Sequence, residues 1–61
     1  MEVIPNGTKV RVKPQDPVLK HIDGLEGVVV YSYLTPAMQR YYIVCVNGLD
    51  YDLTADELEV V

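Results

Sequence analysis

The chain has no tryptophan and no phenylalanine, so its aromatic chemistry rests on five tyrosines. That absence argues against the tryptophan-bearing groove that takes proline-rich peptides. A single cysteine, Cys45, allows no internal disulfide, in keeping with a reducing compartment. Together with the lone histidine, His21, it falls short of a four-ligand zinc site, and neither metal nor cofactor is expected. No run approaches the ~20 apolar residues that span a bilayer, so membrane insertion is not expected. Residues Met1-Glu2-Val3-Ile4-Pro5 carry no basic region and no apolar stretch of signal length, which makes a cytoplasmic protein the expectation. There is no glycine-rich phosphate loop, no Ser-His-Asp set and no nucleotide fingerprint. A filled core built from 61 residues offers no cleft in which a carboxylate could be desolvated for acid–base work, so no enzyme is expected.

What the chain does have is apolar material, 49% of its residues, enough for one compact domain over residues 1–61. Its net charge is -4, and the excess is uneven. Residues 1–30 balance Lys9, Arg11, Lys13 and Lys20 against Glu2, Asp16, Asp23 and Glu26. Residues 31–61 set Arg40 alone against Asp50, Asp52, Asp56, Glu57 and Glu59. The overall field therefore repels phosphate backbones and anionic membranes.

A period of two dominates the pattern. Thr8 to Lys13 alternates, with Val10 and Val12 inward and Lys9, Arg11 and Lys13 outward; Pro14 ends it. Residues 14–26 read as a loop whose Leu19, Ile22 and Leu25 fold back over the core. Val28 to Tyr33 is a second strand, with Val28 and Val30 expected inward and Val29, Tyr31 and Tyr33 outward. Tyr41 to Val46 and Leu49 to Leu53 flank Asn47-Gly48, the preferred type I′ hairpin turn. A two-residue loop fixes the register. It sets Val46 opposite Leu49, Val44 opposite Tyr51 and Tyr42 opposite Leu53 on an apolar core face. The other face pairs Cys45 with Asp50, Ile43 with Asp52 and Tyr41 with Thr54. Thr54 to Glu57 fits a capping box opening one 3₁₀ turn, and a last strand follows with Leu58 and Val60 inward.

The fold expected is thus all-β: a small five-stranded SH3-like barrel with one 3₁₀ turn before the last strand. Two stretches carry family resemblances. Gly7 to Val12, followed by Gly24-Leu25-Glu26-Gly27-Val28-Val29, is similar to the KOW-type motif of ribosomal and transcription-elongation proteins. Tyr42 to Val61, with Asp56-Glu57-Leu58-Glu59, resembles the end of photosystem I subunit IV and of the variable chain of ferredoxin–thioredoxin reductase. These resemblances imply the barrel, and they imply binding rather than catalysis. The acidic C-terminal half departs from the basic surface that RNA-binding KOW modules carry.

Tyr31, Tyr33, Tyr41 and Ile43 are expected to share one outward face, with Asp50 and Asp52 as its acidic rim. Tyrosine suits interfaces because it buries a large area at low entropic cost and keeps a polar tip. The expected function is a non-enzymatic protein-binding module, an accessory or regulatory subunit or a phage-type inhibitor, docking on a partner with a basic surface. A homodimer through the tyrosine face belongs to the same reading. The alternative is a KOW-like nucleic-acid binder using Lys9, Arg11 and Lys13. Two plainer assignments compete: the loop 14–26 covers the tyrosines, and the acids serve only for solubility or as partners for the three bases.

Overall fold

The computed structural model describes residues 3–61. Five strands form one antiparallel sheet: β1 (Lys9–Val12), β2 (Glu26–Leu34), β3 (Arg40–Val46), β4 (Leu49–Leu53) and β5 (Leu58–Val60). The strand order is β4-β3-β2-β1-β5, a meander whose last strand returns to the first. The all-β expectation holds. The sheet does not close into a barrel, because β4 and β5 are its two edges and share no ladder.

A single sheet has no second layer, so full burial on one face requires it to curl around its own side chains. That is where the core sits. Val10, Val12, Val29, Val44 and Leu53 are fully buried, and Tyr42, Val46 and Ile22 nearly so. Ile4, Leu19, Tyr51 and Leu58 pack against them. The Tyr42 hydroxyl accepts a hydrogen bond from the Ile4 backbone N–H at 3.2 Å, giving this core phenol a polar partner. Gly27 lies where β2 passes over β3. A Cβ there would stand 2.6 Å from the Cys45 carbonyl oxygen and 2.7 Å from Val46 Cγ2, so only glycine lets the strands approach.

The β3–β4 hairpin has the register expected from its turn. Val46 faces Leu49, Cys45 faces Asp50, Val44 faces Tyr51, Ile43 faces Asp52 and Tyr42 faces Leu53. Asn47 and Gly48 both take positive φ, 52° and 84°, as a type I′ turn demands. Leu49 corrects the expectation in one respect: it lies on the core side of the hairpin but is 62% exposed, beyond the reach of the core.

β2 brings a larger correction. Its inward residue is Val29, while Val28 and Val30 are exposed. The ladder to β3 shifts between Val29 and Tyr31, leaving Val30 as an extra residue. This bulge resets the alternation. Val29 faces the core before it, and Tyr31 and Tyr33 face outward after it, opposite Ile43 and Tyr41.

The segment expected as a plain loop contains a 3₁₀ helix, Pro17–Ile22, beside the expected 3₁₀ turn before the last strand. Asp16 caps the first, its Oδ1 accepting from the Val18 N–H at 3.0 Å, and Pro17 supplies the first helical position. A period of three aligns Leu19 with Ile22 and turns both to the core. Leu25 is left exposed.

The second segment, Ala55–Glu57, forms the expected capping box, with the Thr54 N–H donating to Glu57 Oε1 at 3.0 Å. Glu57 Oε2 accepts from the Gln15 N–H at 2.9 Å, tying the turn to the loop after β1. Burial would raise the Glu57 carboxyl. The hydrogen bonds from the Gln15 and Thr54 backbone and the Thr54 hydroxyl outweigh it and hold the group below its ordinary value. Asp56 is likewise held low, first by the Thr54 hydroxyl and then by its own backbone N–H. On β5, Leu58 turns to the core, but Val60 at the open edge is 60% exposed.

Candidate binding face

The outer face of the sheet divides along β2. On one side lie β1 and β5, and there the charges satisfy one another. Arg11 bridges Glu26 at 3.3 Å and Glu59 at 3.4 Å, and Lys13 reaches Glu59 at 3.3 Å. The bases therefore pair with Glu26 and Glu59, and not with Asp50 or Asp52. Lys9 has no ion pair among the described residues; it stands opposite Val28.

On the other side, β2, β3 and β4 bring together every residue of the expected docking face. Tyr33 lies across from Tyr41, and their rings stack at 5.8 Å with 25° between planes. Tyr31 lies across from Ile43, which lies across from Asp52. Val28, Cys45 and Asp50 form the next row. Tyr31 is 58% exposed. The 3₁₀ helix Pro17–Ile22 packs through Ile22 into the core on the opposite face, so it does not cover the tyrosines. His21 contacts Tyr51 edge-on and takes no part in the outer face.

Asp52 is joined to the aromatic pair. The Tyr33 hydroxyl donates to Asp52 Oδ2 at 2.9 Å. That hydrogen bond, then desolvation and the nearby negative charge, raises the Tyr33 phenol above its ordinary value. The bond links the ring to the acid at the face's edge. Asp50 has no ion pair among the described residues, and the acidic rim stays available for a cation brought from outside.

Sequence reasoning missed one apolar member of the face, Val28, and two exposed apolar residues beyond it. Val28 flanks the face because of the bulge, which an uninterrupted Val28-Val29-Val30 run does not reveal. Met38 and Leu34, at the β2–β3 connection, are exposed, Met38 with a positive φ of 64°. Nothing in the local sequence marks them. Among the described residues no three His, Cys, Asp or Glu side chains are grouped to hold a metal ion, and no helix is long and apolar enough to cross a membrane. A concavity of about 440 Å³ is an open groove lined by Val3, Ile4, Pro5, Thr8 and Val60, with no titratable side chain in its lining. Comparison with protein-family models, curated proteins and solved structures finds no match.

Proposed function

We propose that this chain is a non-enzymatic protein-binding module that docks through Tyr31, Tyr33, Tyr41 and Ile43, with Asp50 and Asp52 steering a basic partner surface onto them. The observation that carries the reading is the contrast in satisfaction across the sheet. The aromatic half combines exposed apolar area with acids that have no ion pair among the described residues, and in the charged half all but Lys9 of the outward bases are paired internally. A contiguous apolar patch with a polar rim is the anatomy of a protein interface. Opposite charge on the rim speeds encounter and selects partners. The meander with its 3₁₀ turn before the returning strand is compatible with the SH3-like reading of the fold; the accessory or regulatory role rests on the docking face alone. The nucleic-acid reading is weaker, because Arg11 and Lys13 would have to leave Glu26 and Glu59 to meet phosphates.

The test replaces Tyr31 and Tyr41 by alanine, singly, and measures both folding and retention of a bound protein. Central tyrosines of an interface cost about 2 kcal/mol or more on truncation, roughly a thirtyfold loss of affinity. Cys45, half-buried between Val28 and Asp50 in the row beside Ile43, reports independently: bound partner slows its alkylation. Retention and Cys45 protection that survive both substitutions overturn the reading.

A further inference from the structure

We propose that the free edge of β4 receives an extended segment of the protein partner by strand addition, and that this segment alternates basic and apolar side chains. The inference rests on the protein-docking reading and specifies the chemistry of what docks.

The edge follows from the hairpin. A two-residue turn makes Val46–Leu49, Val44–Tyr51 and Tyr42–Leu53 the hydrogen-bonded pairs. The N–H and C=O groups of Asp50 and Asp52 therefore point away from β3, into the free edge. An added strand would bond to them. Its side chains would then alternate between two surroundings. Those on the outer face would meet Asp50 and Asp52, which pair with no base among the described residues. Those on the inner face would cover Leu49, 62% exposed, and the half-buried Tyr51. Basic residues suit the first positions and apolar residues the second.

The fold already uses this arrangement once. In β1, Arg11 points outward between Glu26 of β2 and Glu59 of β5, while Val10 and Val12 point inward. β4 offers half of the same environment with the basic strand missing. A second copy of this chain does not fill it. Its own alternating strand, β1, is enclosed by β2 and β5, and antiparallel pairing of two β4 edges would set Asp50 against Asp52.

The experiment titrates isotope-labelled chain with a blocked synthetic peptide carrying the sequence of residues 8–13, followed by nuclear magnetic resonance. The expected result is shifted Asp50 and Asp52 amides, slower exchange of those two amides with water, and a shifted Leu49 methyl signal. Affinity should fall by up to about fivefold for each of Asp50→Asn and Asp52→Asn, whose exposed positions leave the fold intact, and should weaken with salt. A peptide with glutamate at its basic positions should not bind. Four results would overturn the proposal: no binding of the basic peptide, binding without amide protection at Asp50 and Asp52, equal binding of the glutamate peptide, or protection that rises with chain concentration alone. Shifts confined to Tyr31, Tyr33 and Tyr41 would sink strand addition and leave the docking face standing. Partner retention indifferent to the tyrosines would sink the docking face instead.

Discussion

The two halves of the outer sheet surface are built from the same kind of strand and solve opposite problems. On β1 and β5 every outward position but Lys9 finds an opposite charge on a neighbouring strand. On β2, β3 and β4 the outward positions hold rings, aliphatic groups and acids, and the acids find no base among the described residues. The first half completes itself at little net gain, since exposed ion pairs are each worth under about 1 kcal/mol. The second half is left incomplete, and incompleteness of that kind is what a partner can relieve.

The largest expected effect tests whether the halves depend on one seam. Gly27→Ala places a methyl group against the backbone carbonyl oxygen of Cys45 and the buried side chains of Val44 and Val46. Overpacking of this sort should cost about 3 kcal/mol and lower the thermal midpoint sharply. An unchanged midpoint would mean that the halves are not locked where β2 passes over β3.

Next comes the tie behind the charged half. Glu57→Ala removes the capping bonds to Thr54 and the link to Gln15, and should cost about 1 kcal/mol at neutral pH. The sign of its pH dependence is set by its lowered carboxyl. The stabilisation is complete above the ordinary value of 4.5 and is lost as pH falls through the lower folded value. Denaturant titrations across the acid range should therefore show a shallower decline in the variant than in the parent chain.

Much of this was legible in the sequence, and the reasons are particular. Asn47-Gly48 admits one turn type, and that turn dictates a register the apolar pattern independently repeats. The shared face of the proposed docking residues followed, because Tyr41, Ile43, Asp50 and Asp52 inherit their face from that register. Val28-Val29-Val30 is different. Three similar residues carry no period, so the bulge and the inward choice of Val29 depend on contacts with β1 and β3 rather than on local pattern. Uninterrupted alternation also points Tyr31 and Tyr33 outward, although the actual alternation breaks one residue before Tyr31. The 3₁₀ helix was hidden because Asp16-Pro17 is equally good turn chemistry, and its period of three is too short a run to read. Leu49 has core parity, but it lies at the hairpin tip, where the curled sheet no longer surrounds it.

A smaller effect separates the charges of the two halves. Arg11→Ala should destabilise the chain by less than about 1 kcal/mol, and the difference should fade in high salt as screening removes it. The smallest effect lies on the aromatic side. Asp52→Asn should leave folding stability nearly unchanged while lowering the Tyr33 phenol back towards 10.0, which ultraviolet titration of tyrosinate would detect. If Tyr33 ionises no earlier in that variant, its hydroxyl does not bind the acidic rim in solution.

The most direct measurement of the central claim compares one variant from each half for retention of a bound partner. Tyr31→Ala should lose the partner by about thirtyfold in affinity, and Lys9→Glu combined with Arg11→Glu should retain it, with both variants folded. A partner that survives loss of Tyr31 and disappears with the two charge reversals, above all a nucleic acid released steeply by salt, would contradict the account.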